Sequence, residues 1–281
     1  MSLVLVTGGS GKTARRVTAG LRARGLETRV ASRSATGAGT VRFDWADPAT
    51  FDAALAGVSA AYLVAPTSVA DPQPSMEAFL AQAVARGVRR FVLLSASVLP
   101  EDGPLMGGVH GWLRRHAKEW TVLRPTWFMQ NFSEGQHQPS VQQQSAIYSA
   151  TGRGRVGFID ANDIADVAVA ALTEPAFESG ECLLTGPELL SYDDVAAAIS
   201  RATGRRIEHR GLAEHELAER LASHGLPAAY APVLAAMDTA IAGGSEERLS
   251  TEVQRILGRP PRSFATFAAG AAAAWKAAEA Q

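Results

Sequence analysis

The sequence predicts an α/β fold: a doubly wound parallel sheet with a smaller, mostly helical C-terminal lobe. Three observations carry this. Short apolar, β-branched runs alternate with helical stretches through the first 125 residues. That is the pattern of a parallel sheet covered by helices on both faces. The first run enters a helical stretch through Gly8-Gly9-Ser10-Gly11, a turn that lets backbone and ligand approach closely. From about residue 189 the chain reads almost wholly helical.

Residues 2–7 form the first strand, and 12–24 the first helix. Residues 27–31 are the second strand, closing at Ser32-Arg33, and 41–43 a short third. Asp47-Pro48 opens a helix to about Ala56, with proline in its first turn. Residues 60–65 are the fourth strand, 74–86 a helix closed by Gly87, and 90–95 the fifth strand. A short helix falls within 105–118, and 120–124 is the sixth strand. Right-handed crossovers and the glycine turn favour the strand order 3-2-1-4-5-6. Residues 133–145 are polar and glutamine-rich, and read as a surface loop or a poorly ordered segment. Residues 155–159 and 163–172 add a strand and a helix; 189–203, 213–224, 227–242, 250–257 and 264–278 read as helices. The expected division is a core of 1–132, completed by about 155–175, and a substrate-binding lobe of 133–154 and 176–281. Within that lobe, 213–242 has the place of a two-helix lid.

Composition narrows the function. With 281 residues, 47% of them hydrophobic, the chain can bury a large core. A net charge of −1 gives no reason to expect nucleic-acid or anionic-membrane partners. The single cysteine, Cys182, rules out an internal disulfide and a cysteine metal cluster, and reads as a buried strand residue. No apolar run approaches about 18 residues, and no charged-then-apolar leader opens the chain. The expectation is a cytoplasmic monomer or homodimer acting on a small molecule. No metal is expected: His209 and His215 lack a carboxylate at ligand spacing. Asp160, Asn162 and Asp163 lack the glycine and terminal glutamate of a calcium loop, so helix capping explains Asp160 or Asn162 better.

The chemistry concentrates in the first 33 residues. Gly8-x-x-Gly11-x-x-Ala14 follows a strand and opens a helix, which suits a dinucleotide pyrophosphate. Ala14 is small enough for close helix–strand packing. Gly11-Lys12-Thr13 imitates the end of a triphosphate loop, but that motif needs a glycine where Val6 stands. The residue closing the second strand selects the cofactor. An acid there would hold a ribose 2′-hydroxyl, whereas Arg33 pairs with a 2′-phosphate, so the expected cofactor is NADP(H).

Several phrases carry a resemblance. Residues 3–13, Val30-Ala-Ser-Arg33, Phe91-Val-Leu-Leu-Ser95 and Leu123-Arg-Pro-Thr-Trp-Phe-Met-Gln-Asn-Phe132 resemble the atypical short-chain dehydrogenase/reductases of the NmrA-like branch. The Gly-Lys-Thr turn and the Leu-Arg-Pro-Thr-Trp-Phe-Met run are most similar to ergot-alkaloid-biosynthesis-type and antibiotic-tailoring reductases. The resemblance covers about the first 175 residues well. It implies an extended Rossmann fold, NADP(H), and often a ketone, imine or quinone substrate; some members bind NADP without catalysis and act as redox sensors. It also implies site residues. Thr7, Gly8, Ser10, Gly11, Lys12 and Thr13 would line the pyrophosphate, and Ser32, Arg33 and Ser34 the 2′-phosphate. Asp44 would meet the adenine, Val64, Ala65 and Pro66 the nicotinamide ribose, and Pro125 and Thr126 the nicotinamide. Trp127, Phe128, Met129 and Asn131 would begin the substrate wall.

The wider superfamily uses a Tyr-x-x-x-Lys pair to protonate its substrate. Four residues after Tyr62, Tyr148, Tyr192 and Tyr230 stand Pro66, Gly152, Ala196 and Leu234, so the pair is missing. Hydride transfer to a ketone still needs a proton for the new alkoxide. Ser95 falls where the family's hydrogen-bonding serine lies, with Ser97 a weaker substitute; a turn or helix cap is the plainer reading of Ser95. His110 falls where the tyrosine would be, and its plainer reading is a surface histidine on a short helix. Substrate or water can also supply the proton, and an iminium substrate needs none. The leading expectation is therefore an NADPH-dependent reductase of a small or polycyclic, polyketide-like ketone. A non-catalytic NADP(H) sensor and an imine or iminium reductase are the alternatives.

Overall fold

The alternation of apolar runs and helices folds as a parallel sheet. The computed structural model describes residues 3–66, 69, 71–226 and 230–276. In chain order the elements are β1 (Leu3–Thr7), α1 (Lys12–Ala23), β2 (Glu27–Ser32), β3 (Thr40–Arg42), α2 (Phe51–Leu55), β4 (Val58–Val64), α3 (Gln73–Ala85), β5 (Arg90–Leu94), α4 (Met106–His116) and β6 (Glu119–Pro125). There follow α5 (Gln138–Gln144), β7 (Ala146–Ser149), α6 (Ala161–Thr173), β8 (Gly180–Leu184), α7 (Tyr192–Thr203), β9 (Glu208–Gly211), α8 (Glu214–Ser223), α9 (Ala231–Ala242), α10 (Glu252–Leu257) and α11 (Phe264–Ala271). Residue 2 of the predicted first strand, residues 227–229 of one predicted helix and 277–278 of the last lie outside the described residues.

The chain divides into two compact units. The first comprises 1–125, 161–184 and 252–259. It therefore ends at Pro125, not 132, and takes in 176–184 and 252–259. Its sheet has the order β3-β2-β1-β4-β5-β6-β8, all parallel, which is the expected order with one strand added. The added strand is β8, where Cys182 is buried. Residues 155–159, expected as a strand, make only isolated bridges, Phe128 with Ile159 and Val156 with Leu190. The core of this unit is built on Leu5, Leu63, Phe91 and Leu93 of the strands and on an aromatic cluster of Phe43, Trp45, Phe51 and Phe79. Helices α1 and α6 pack closely: a Cβ on Gly20 would stand 2.9 Å from Val169 Cγ2. Arg259 holds the α10 end to α6 through Asp163 (2.9 Å) and Asp166 (2.6 Å).

The second unit comprises 126–160, 185–251 and 260–281. Its core gathers Met129, Phe132, Phe158, Tyr192, Phe264 and Trp275. β7 and β9 pair in parallel as a two-stranded sheet. The glutamine-rich segment is not a loop: residues 138–144 form α5, with Val141 buried. Its glutamines are structural donors, Gln138 Nε2 to the Ala274 carbonyl (3.1 Å) and Gln142 Nε2 to that of Lys276 (3.0 Å). Helix α7 carries a complete capping box of Ser191 and Asp194, with Gly204 left-handed at its C-cap.

Candidate functional site

The first unit holds the glycine turn. Thr7 closes β1, and its hydroxyl accepts from Val64 N–H (2.8 Å) and donates to the Tyr62 carbonyl (3.2 Å). The side chain is fully buried and braces β1 against β4. Gly8 has φ +66°, a conformation that favours glycine. A Cβ on Gly9 would stand 2.2 Å from Val30 Cγ1, and one on Gly11 would stand 3.0 Å from the Gly8 carbonyl. Position 9 admits no side chain unless Val30 shifts and position 11 only a tightly packed one, so with glycine at both the turn presents bare backbone. Helix α1 begins at Lys12 behind the Gly11 cap, with no side-chain cap bond and no acid in its first turn. Its first N–H groups and its positive end are therefore not engaged by a local side-chain anion. Burial, then repulsion from Arg15 and Arg16, lowers the Lys12 pKa below its ordinary value. Arg16 is committed to structure, bonding the Lys12 carbonyl (2.7 Å) and Asn162 Oδ1 (3.0 Å). Backbone amides, a helix N-terminus and local positive charge together fit a dinucleotide pyrophosphate.

Around that turn stand the other expected cofactor contacts of this unit. Arg33 lies one residue past β2, is exposed, and has no ion pair among the described residues. Ser32 is half-buried and Ser34 exposed beside it. Asp44 lies two residues beyond β3, and its Oδ1 accepts from Ala46 N–H (3.0 Å), which fixes the carboxylate in a turn. The Trp45 indole N–H donates to the Val64 carbonyl (3.2 Å), tying that turn to the end of β4. Val64, Ala65 and Pro66 are half-buried there.

The ends of β5 and β6 are stitched together. Ser95 N–H donates to the Leu123 carbonyl (2.8 Å), and Ser97 N–H to that of Pro125 (2.9 Å). Arg124 bonds the Ser97 carbonyl (2.7 Å) and the Glu181 carboxylate (2.7 Å). Arg124 was not singled out from the sequence as a brace; a lone charge in the otherwise apolar run Val122-Leu-Arg-Pro125 was the available signal. The Ser95 hydroxyl is buried without a hydrogen-bond partner, so it is not a cap. A buried hydroxyl without a partner costs about 1–3 kcal/mol and calls for an explanation.

His110 is not a surface histidine. It is only 2% exposed, and its ring lies 5.4 Å from that of Trp120. Its Nδ1 is buried without a partner. Burial holds its pKa below the ordinary value, against the opposing pull of Glu101 and Glu181, so it is neutral at pH 7. Trp120 pairs with Phe91, four residues before Ser95, or about 13 Å of strand. His110 and Ser95 share no hydrogen bond.

The second unit holds the remaining expected contacts. The Thr126 hydroxyl donates to the Gly157 carbonyl (2.5 Å), so it is committed to the fold. Met129 is 1% exposed and belongs to this unit's core. Trp127, Phe128 and Asn131 are half-buried. Among the described residues, no three His, Cys, Asp or Glu side chains cluster as metal ligands do.

Comparison with known proteins gives the family. A sequence profile described as NAD(P)H-binding matches residues 8–175, and one described as the NmrA-like family matches 108–253. The chain is 44% identical over 275 residues to the uncharacterized oxidoreductase YesF of Bacillus subtilis (strain 168), covering 97% of this chain and 96% of that one. It is 44% identical over 276 residues to an agroclavine dehydrogenase of Claviceps fusiformis (94% and 95% covered). It is 41% identical over 286 residues to the festuclavine dehydrogenase easG of Aspergillus fumigatus (97% and 98% covered). Among solved structures, Citrobacter sp. triphenylmethane reductase complexed with NADP(H) shares the fold at TM-score 0.81, with 20% identity and coverage of 97% and 100%. Escherichia coli quinone oxidoreductase QOR2 complexed with NADPH does so at TM-score 0.81, with 21% identity and coverage of 95% and 99%. With its Rossmann-like sheet and its glycine turn, the chain belongs to the NmrA-like NAD(P)H-dependent oxidoreductases.

Proposed function

We propose that the protein is an NADPH-dependent reductase whose preferred acceptor is an iminium carbon in a flat, apolar nitrogen heterocycle. One observation carries the reading: the Ser95 hydroxyl is buried without a hydrogen-bond partner, so no side chain among the described residues is bonded to it as a proton donor. The sequence lacks Tyr-x-x-x-Lys, and His110 is neutral and packed against Trp120. When bound, NADPH supplies the hydride. Hydride added to a ketone carbon leaves an alkoxide that must take a proton. Hydride added to a C=N⁺ carbon gives a neutral amine, and the charges balance without one.

The relatives point the same way. Agroclavine and festuclavine, for which two of them are named, are alkaloids, hence basic nitrogen compounds. Relatives named as oxidoreductases favour an enzyme over a cofactor sensor. The ketone of a polyketide-like metabolite is the second reading; the unpartnered Ser95 hydroxyl suits a carbonyl oxygen, with substrate or water as acid. In both readings Arg33 selects NADPH over NADH. The test compares two benzo-fused six-membered-ring acceptors, the N-methyl dihydroisoquinolinium cation and tetralone, by NADPH consumption. Faster turnover of the cation supports the iminium reading. Faster turnover of tetralone reverses the preference, and no turnover of either removes both.

A further inference from the structure

Helix α9 inverts the usual pattern of a surface helix. Its sequence, Ala-Pro-Val-Leu-Ala-Ala-Met-Asp-Thr-Ala-Ile-Ala, holds one ionisable residue, Asp238, and that residue is buried while Val233 is 50% exposed. A lone charge ordinarily faces solvent on such a helix. Asp238 Oδ2 accepts from Ala150 N–H (3.0 Å), and the carboxylate makes no ion pair among the described residues. Other buried acids are provided for. Asp163 pairs with Arg259 (2.9 Å), Glu246 with Arg248 (3.8 Å), and Asp160 accepts from Gln130 (3.0 Å).

The groups around Asp238 leave it without a cation. From α7 comes Tyr192, whose buried hydroxyl has no hydrogen-bond partner and whose ionisation the Asp238 charge opposes. From the end of β7 come the Ala150 amide and the Ser149 and Thr151 hydroxyls, which bond each other (2.7 Å). From β9 comes His209, whose ring is committed to Ser149 (2.8 Å) and Asp193 (3.2 Å). On α8, Glu214, His215, Glu216 and Glu219 are exposed, and Arg220 lies over the Tyr148 ring (3.6 Å). An ionised carboxylate at this place loses its water and gains one amide. Burial accordingly raises its pKa to about 6.

The element that carries Asp238 is thinly anchored. Among the described residues α8 buries only Leu217, and α9 buries Ala231, Ala235 and Ile241 besides Asp238. Of these, only Ile241 belongs to the core cluster of the unit. The two helices pack against each other. Their attachments to the rest of the unit include Arg220 to Gln144 (2.9 Å) and Asp238 to Ala150. The Ile241 carbonyl also comes close to Gly154, where a Cβ would stand 2.1 Å away. Elements with so few buried apolar contacts are the first to open.

We propose that the α8–α9 pair is a pH-operated latch, docked on the second unit while Asp238 is protonated and loosened when it ionises. The two-helix lid expected at 213–242 is thereby governed by acidity, whichever acceptor the protein reduces. An undocked Asp238 has its ordinary pKa of 3.8 and a docked one a pKa of about 6. Ionisation therefore favours opening by about a hundredfold, an effect absent below about pH 4 and present in full above about pH 6.

The test is amide hydrogen exchange of the full chain from about pH 4 to about pH 8, corrected for the intrinsic exchange rate at each pH. Wild type is compared with Asp238→Asn and with Asp238→Ala, which deletes the carboxyl outright. Amides of α8 and α9 should exchange faster than those of α7, and their opening constant in wild type should rise about a hundredfold across the range. In both variants that rise should be gone. Exchange of α8 and α9 at the same corrected rate as α7 would mean that the whole unit opens together, and would overturn the proposal. So would a wild-type opening constant that does not change with pH, or a rise that survives in either variant.

Discussion

Replacing Asp238 by asparagine should stabilise the protein fully above pH 6 and do nothing below about pH 4. Asp238 lies in α9, is 5% exposed, and accepts one bond, from Ala150 N–H (3.0 Å). Burial raises its pKa from 3.8 to about 6, and the Ala150 bond pulls the other way. The folded chain therefore holds this proton more tightly than the unfolded chain does. Stability falls as pH rises from about 4 to about 6, and the full penalty is present above that. Holding the proton from 3.8 up to about 6 amounts to about 3 kcal/mol, at about 1.4 kcal/mol per tenfold change in proton affinity. Asparagine keeps an acceptor for Ala150 N–H and never ionises. At pH 8 the variant should unfold about 5 °C higher than wild type, and below about pH 4 the two should coincide. The assay is thermal unfolding of both proteins across that pH range. A variant less stable than wild type at pH 8, or a difference that does not change with pH, would show that Asp238 is not a poorly compensated buried carboxylate.

The remaining predictions concern the site. Arg33→Ala should weaken NADPH by about 1.5–3 kcal/mol in a calorimetric titration and leave NADH unchanged; equal losses would remove the 2′-phosphate role. Ser95→Ala should lower kcat about tenfold or more while NADPH affinity holds and Tm does not fall, because the variant removes an unsatisfied buried hydroxyl. A lower Tm with unchanged kcat would make Ser95 a structural residue. His110→Phe should retain turnover, since the histidine is neutral and packed on Trp120; a flattened pH–rate profile with lost turnover would restore it as the acid.

Much of the fold was legible because parallel strands buried on both faces write continuous apolar runs. Leu3–Thr7 and Arg90–Leu94 are such runs, and Gly8 and Gly11 mark the turn between strand and helix. The second unit was harder to read. Strands β7 and β9 read Ala-Ile-Tyr-Ser and Glu-His-Arg-Gly, and neither carries a periodic apolar pattern. Helix α5 buries a single apolar residue, Val141, and its glutamines act through hydrogen bonds to distant backbone, which no local pattern reveals. Residues 155–159 look like a strand, yet their backbone bonds go to Trp127 and Leu190 and not to a ladder. At the site, the glycine turn and Arg33 were visible as residue types. The inward turn of Thr7, Thr126 and Met129 was not, because each identity suits both a pocket wall and a core. His110 followed the same rule. Three glycines, Gly107, Gly108 and Gly111, let α4 pack closely, and the histidine is buried with them.

The most direct measurement is a single-turnover reaction with NADPH deuterated at its transferable position, run with the N-methyl dihydroisoquinolinium cation from about pH 6 to pH 9, the range in which a general acid would titrate. One deuterium at the former iminium carbon, delivered at a rate that does not change with pH, is the expected result. Unlabelled product, or a rate that falls with rising pH, would mean that hydride does not come from NADPH or that the protein supplies a proton after all.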